Sequence, residues 1–183
     1  MIDDIIKKND NVAEYILYMW QTEDLIRANK LDMDLIRKNI IDKYTGLTPE
    51  RRREMEEWYE SLIDMMRREG IAEKGHLQMN RNLIGEIADL CKRLLKDPKY
   101  SAFANQYYAT LPLMVELRAK SAPDDMPGEI EACFNALYGV LLLRLQGKEV
   151  TPQTQAAVAQ ISKFLGTLAA YYKKDHNDEL DLA

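Results

Sequence analysis

Cysteine and histidine, two common metal ligands in proteins, are scarce in this chain of 183 residues, which has two of each. Cys91 and Cys133 form no CxxC motif or Cys/His cluster, so nothing indicates a zinc site, and we expect no metal and no cofactor. Two cysteines also provide no disulfide framework, and free thiols are typical of a reducing compartment.

An excess of basic charge and a long apolar run are also missing. The net charge is −5, so there is no basic field to attract phosphates and we expect no nucleic-acid partner. The longest apolar run, Tyr15 to Trp20, is far too short to span a bilayer. The first residues include Asp3 and Asp4 and do not form a signal peptide. By exclusion, the sequence indicates a cytoplasmic protein that binds no membrane.

Glycine and proline are few, at 8 and 6 residues, and apolar residues recur at three- and four-residue spacing, which is typical of helices. Helix starts are marked by a capping side chain before a proline at the first helical position. Three such starts and one looser version occur: Thr48-Pro49, Asp97-Pro98, Thr151-Pro152, and Asp125 with Pro127. Gly70 and Gly147 mark helix ends, and Pro112 should kink or split the helix that contains it.

The pattern predicts an all-α, antiparallel up-and-down bundle of about seven helices. We expect helices at about 12–29, 32–44, 49–69, 75–96, 98–120, 127–146 and 152–174. A single domain would cover residues 1–174, and residues 175–183 would form a polar, frayed tail.

Several polar side chains fall on the apolar faces of these predicted helices. Glu23 lies at the centre of the apolar stripe of the first helix and Arg27 beside it, while Arg118 continues the stripe of the fifth helix. Because consecutive helices alternate in direction, the exceptions should gather at one end of the bundle. This predicted end comprises Glu23, Arg27, His76, Asn80, Arg118 and Tyr172.

The predicted polar end has two interpretations. In the structural one, Glu23 forms an ion pair with Arg27 or Arg118 that closes the end of the core. In the functional one, the same residues bind a small ligand that has a negative group for Arg118. The sequence identifies no catalytic residue, since no serine or cysteine has an obvious base partner.

Two carboxylate pairs, Glu54 with Glu57 and Glu86 with Asp89, resemble the magnesium site of all-α nucleoside triphosphate pyrophosphohydrolases. The helical angles disfavour this reading. Glu57 lies well away from the apolar stripe of its helix, and Asp89 lies nearly opposite the stripe of the next. A magnesium-dependent hydrolase is therefore a remote third option.

The stretch from Asn11 to Ala28, NVAEYILYMWQTEDLIRA, resembles the opening of an all-α family of unknown function from Bacteroidota, of about 180 residues. The resemblance implies an intracellular helical protein and supplies no catalytic residues. We therefore expect a non-enzymatic interaction or self-associating module, either a homodimer or the binder of a protein partner. The alternative is a small-ligand-binding protein or enzyme that uses the polar end, so whether the chain is an enzyme is left open.

Overall fold

The computed structural model describes residues 8, 10–121 and 126–182, and its architecture is an all-α helical bundle. Seven α-helices occur in this part of the chain: α1 Val12–Ala28, α2 Met33–Asn39, α3 Pro49–Arg68, α4 Gln78–Lys96, α5 Ser101–Ala119, α6 Glu129–Leu145 and α7 Pro152–His176. Two short 3-10 helices lie at Ile41–Lys43 and Pro98–Tyr100, and no described residue belongs to a strand. The predicted fold class and number of helices are confirmed. None of the helices in the described ranges has the length and apolar character needed to cross a bilayer.

The predicted capping residues hold the helix starts. The side-chain oxygens of Thr48, Asp97 and Thr151 each accept a hydrogen bond from a backbone amide two or three residues later, at 3.2, 2.9 and 3.2 Å. These bonds satisfy amides that have no partner within the helix. At the fourth predicted start, Asp125 lies outside the described residues. Here α6 begins at Glu129, after an N-cap at Gly128.

Four helices end in the same left-handed motif, in which two backbone amides reach back to carbonyls of the last turn. In α3, for example, the amide of Ile71 donates to the carbonyl of Met66 at 3.0 Å. The residue that adopts the left-handed conformation has φ of 58, 70, 69 and 56° at Lys30, Gly70, Gly147 and Asp178, which follow α1, α3, α6 and α7. Gly70 and Gly147 are therefore helix stops, as predicted.

The largest departures from the predicted bounds are at α2 and α4. Helix α2 ends at Asn39 because Ile40 leaves the helical conformation at φ −123°, and a 3-10 turn then buries Ile41 in the core. Helix α4 begins only at Gln78, so His76 lies in the preceding loop and not on a helix. Pro112 does not split α5, which continues to Ala119.

The described residues form two compact units, and α1 and α4 contribute to both. The first unit comprises residues 14–83. Its core consists of apolar side chains from the first three helices and the loops that follow them: Met19, Ile26, Leu31, Ile36, Ile41, Met55, Tyr59, Leu62, Ile63, Met66 and Leu77.

The described part of the second unit comprises residues 8, 10–13, 84–121 and 126–182, and in it α5, α6 and α7 pack against one another. Phe103 of α5 stacks on Phe164 of α7 with 5.7 Å between the ring centroids. The predicted tail begins within α7, where Asp175 forms an ion pair with Arg93. Whether the chain behaves as a single domain stays a prediction.

Candidate functional site

A buried carboxylate organises the polar residues of the first unit. Glu23 of α1 has a relative exposure of 0%. Its Oε1 accepts hydrogen bonds from Asn80 Nδ2 at 2.7 Å and from the Leu77 amide at 3.1 Å, and its Oε2 lies 2.6 Å from His76 Nδ1. All three partners lie at or just before the start of α4, where backbone amides need acceptors. We call these four residues the Glu23 cluster.

His76 is the one member of the Glu23 cluster that reaches the surface. Its ring stacks on Trp20, with 4.0 Å between centroids and 11° between planes, and 27% of its side chain is exposed. Glu23 fixes the orientation of the ring through Nδ1, which leaves Nε2 as the nitrogen that a ligand or a proton donor would meet. The buried Oδ1 of Asn80 has no hydrogen-bond partner among the described residues.

Arg27 has a different role from the one expected. Its guanidinium donates to the carbonyls of Ile71, at 3.3 Å, and of Gly75, and it pairs with Asp24 at 2.8 Å. The expected ion pair between Arg27 and Glu23 is therefore not formed. The reason is that the loop before α4 presents backbone carbonyls to Arg27, while its side chains and amides satisfy Glu23. Glu23 and Arg27 of α1 together fasten this loop.

Arg118 lies in the second unit and has its own partners there. Its Nε donates to the Pro127 carbonyl at 2.8 Å, and its guanidinium lies 3.6 Å from the carboxylate of Glu129. Glu129 also accepts a hydrogen bond from the Tyr107 hydroxyl at 2.8 Å. Burial, reinforced by this bond to a carboxylate, raises the pKa of Tyr107 above its usual range. Helical periodicity does not indicate Glu129, which lies in the first turn of α6.

Tyr172 also lies in the second unit, where its hydroxyl donates to Glu86 at 2.9 Å. Burial and this hydrogen bond raise its pKa above its usual range. Of the six residues predicted for the polar end, Glu23, His76 and Asn80 are in direct contact and Arg27 holds the same loop. Arg118 and Tyr172 are satisfied by other partners in the second unit.

A family model described as Domain of unknown function (DUF4924) matches residues 2–179. The chain belongs to this family. The resemblance of the Asn11–Ala28 stretch to a domain family of unknown function is thereby confirmed, while an origin in Bacteroidota stays a prediction. No curated protein and no solved structure matches the chain. The description of DUF4924 gives no reaction, ligand or partner.

Three of the four carboxylates considered for magnesium have other partners in this chain. Glu54 pairs with Arg51 at 3.0 Å and Asp89 with Lys92 at 3.0 Å, and both carboxylates are largely exposed. Glu86 accepts the hydrogen bond from Tyr172. In the described ranges, no group of three or more His, Cys, Asp and Glu side chains is arranged to hold a metal ion.

An exposed apolar surface of the second unit lies on α5 and was not predicted from the sequence. Only Glu116 and Arg118 are charged among the 19 residues of this helix. Besides the buried stripe, four of the exposed apolar residues share one outward face of the helix, and two of them, Tyr108 and Val115, are 61% and 54% exposed. We call this set the α5 stripe: Tyr108, Pro112, Val115 and Ala119. Their spacing of four, three and four residues was the available signal.

Beside the α5 stripe, a groove of about 610 Å³ runs between α5, α6 and α7. Small residues, among them Ala136, Gly139 and Ala157, line it together with the branched side chains of Leu117 and Ile161. A Cβ atom added at Gly139 would meet nothing within 4 Å, so the groove is open above this residue. Apolar surface on the second unit therefore extends beyond the α5 stripe.

Proposed function

We propose that this chain is a non-enzymatic interaction module that associates with itself through the α5 stripe. The observation that carries the proposal is the outward apolar face of α5, where Tyr108 and Val115 are 61% and 54% exposed. A helix that is apolar nearly all round is normally buried, and contiguous exposed apolar surface marks an interface. Closed two-fold dimers are the commonest assemblies of soluble proteins, so a second copy is the occupant that we propose.

The Glu23 cluster supports the choice of the α5 stripe as the functional surface, because the polar groups of the cluster have a structural explanation. Its carboxylate has three hydrogen-bonding partners within the chain and 0% exposure. Buried polar groups that are satisfied in this way commonly hold a fold together. We interpret the cluster as the set of contacts that holds the loop before α4 in place. We also propose that the protein resides in the cytoplasm. The free, buried thiols of Cys91 and Cys133 fit that reducing location.

Sedimentation velocity over a concentration series tests the proposal. We expect the wild-type chain to shift from monomer to dimer as its concentration rises, and Val115→Glu to stay monomeric because dimerisation would bury its charge. Met79→Glu is the matched control, since Met79 is an exposed apolar residue in the first turn of α4, in the first unit. A carboxylate is favourable there, near a helix N-terminus, and this variant should dimerise normally. A wild-type chain that stays monomeric at every concentration would overturn the proposal.

A small-ligand site at His76 is the second candidate. Two observations favour it: Glu23 orients the partly exposed His76 ring, and the buried Oδ1 of Asn80 is without a hydrogen-bond partner among the described residues. NMR of ¹⁵N-labelled histidine during titration with acetate and with inorganic phosphate tests it. A saturable shift of the His76 ring nitrogens that is absent at His176 is the expected result. Equal, non-saturating changes at both histidines would end this candidate.

A further inference from the structure

The spacing of the residues in the α5 stripe is the same in both directions along the helix. Tyr108, Pro112, Val115 and Ala119 are separated by four, three and four residues. At about 100° per residue they fall within an arc of about 60° on one face of the helix. This is the spacing of alternating core positions in a coiled coil. When a second α5 is laid antiparallel, the two sets come into register around an axis between Pro112 and Val115.

The sizes of these side chains distinguish the two orientations. Tyr108 is the largest residue of the stripe and lies at one end, whereas Ala119 is the smallest and lies at the other. An antiparallel pair places each tyrosine on the second copy's alanine, which fills space evenly at both ends. A parallel pair places tyrosine on tyrosine and alanine on alanine, which crowds one end and leaves a gap at the other.

The charges beside the stripe are compatible with the antiparallel arrangement. Glu116 and Arg118 flank the stripe on opposite sides. In an antiparallel pair, residues that flank the stripe on one side of α5 face residues on the same side of the second copy's α5. Glu116 therefore faces the second copy's Ala109, and Arg118 faces its Leu111. No like charges oppose each other at the seam, and the repulsion that would disfavour a second copy is avoided.

We infer that two copies of the chain pair through antiparallel α5 helices, with Tyr108 of each copy packed on Ala119 of the other. The inference rests on the proposed self-association and adds its orientation and residue pairing. Four side chains per copy make a small interface, and small interfaces belong to weak, reversible complexes. A charge at the centre of the seam, as in Val115→Glu, should therefore raise the dissociation constant about 10-fold or more.

Cross-linking of mixed single-cysteine variants tests the orientation in the full chain. Cys91 and Cys133 are buried, and burial raises the pKa of each thiol to about 12, so neither contributes background under mild oxidation. A mixture of Tyr108→Cys and Ala119→Cys should form a disulfide-linked dimer, whereas each variant alone should not. Ser162→Cys, at an exposed position on α7, is the control and should cross-link with neither.

A second pair of variants keeps Tyr108, which the Tyr108→Cys variant of the first pair removes. Ala109→Cys mixed with Glu116→Cys leaves all four stripe residues in place and should be joined by a short bis-maleimide. If the wild-type chain dimerises but each variant cross-links with itself, the orientation is wrong and the proposed self-association stands. If neither mixture cross-links while the chain dimerises, the inferred pairing is wrong. A chain that is monomeric in sedimentation removes both.

Discussion

The two compact units differ in how they treat the residues that do not fit a simple helical bundle. In the first unit, polar residues that lie on apolar faces are satisfied within the chain: Glu23 is buried with three hydrogen bonds, and Arg27 donates to two backbone carbonyls. In the second unit, Tyr108 and Val115 of α5 are 61% and 54% exposed, whereas Leu25, Tyr44 and Met79 of the first unit are 41%, 42% and 39% exposed. The sequence pattern indicated polar residues on buried helix faces, but exposed apolar residues are the stronger indication of an interface.

The physical basis of this difference is what each kind of residue lacks. A buried carboxylate lowers its free energy by hydrogen bonding, and partners from the same chain suffice. An exposed apolar side chain lowers its free energy by leaving water, and no described residue covers Tyr108 and Val115 on the outer face of α5. The first unit therefore satisfies its buried Glu23 internally, and we propose that the second unit associates through α5. Substitutions in each unit test this contrast.

The largest expected effect is at Glu23. Glu23→Ala removes the acceptor for Asn80, for the Leu77 amide and for His76, and it should lower the free energy of unfolding by about 3–5 kcal/mol. Urea unfolding followed by circular dichroism measures this change. Glu57→Ala, at an exposed position of α3 in the same unit, is the control and should change the value by about 0.5 kcal/mol or less. A Glu23→Ala variant as stable as the wild type would mean that the cluster is not structural, and would favour the ligand site.

Arg27 should have the next largest effect. Arg27→Met keeps much of the side-chain volume but removes the donors to the Ile71 and Gly75 carbonyls, and bonds from a charged donor are worth about 1.5–3 kcal/mol. We expect a loss of stability in that range. We also expect faster hydrogen exchange, measured by mass spectrometry, confined to the loop before α4. Unchanged exchange in this loop would show that Arg27 does not hold it.

The left-handed residues after α1 and α3 should have smaller, opposite effects. Lys30 adopts φ 58° where Gly70 adopts 70°, and this conformation is costly for residues other than glycine. Lys30→Gly should therefore raise the free energy of unfolding by about 1 kcal/mol, and Gly70→Ala should lower it by about the same amount. An added Cβ at Gly70 meets nothing within 4 Å, so the backbone alone determines that loss. Urea midpoints that move in the same direction in both variants would contradict this explanation.

Val115→Glu should have the smallest effect on folding. In dilute solution, where the chain is monomeric, it should change the free energy of unfolding by about 0.5 kcal/mol or less, because residue 115 is exposed. The same substitution should abolish dimerisation, so folding and association respond separately. A large loss of stability in the monomer would show that Val115 belongs to the core, and the contrast between the two units would fail.

Much of the fold was predictable because local signals determined it. The caps at Thr48, Asp97 and Thr151 and the stops at Gly70 and Gly147 all act within a few residues, and the structure uses each of them. The early end of α2 was not predictable. It depends on placing Ile41 in a core formed by residues distant in the sequence.

The candidate site was predictable in part. Helical periodicity placed Glu23 and Asn80 on buried faces, and both are buried, but it could not supply the partners of Glu23. His76 reaches Glu23 from a loop and not from a helix stripe, because α4 begins two residues later. Arg118 is one of two partners expected for Glu23, but its guanidinium lies 3.6 Å from Glu129, at the start of the next helix. Periodicity indicates which residues are buried, but partners depend on tertiary packing.

The most direct test of the contrast is a concentration series of methyl-labelled wild-type chain followed by NMR. Methyl groups report on their immediate packing, and residues of both units can be observed in one sample. The proposed α5 interface predicts that the Val115 and Ala119 signals shift with concentration, while those of Ile26 and Leu77, in the core of the first unit, stay constant. Constant signals for Val115 and Ala119 up to the highest concentration, or shifts confined to Ile26 and Leu77, would contradict it.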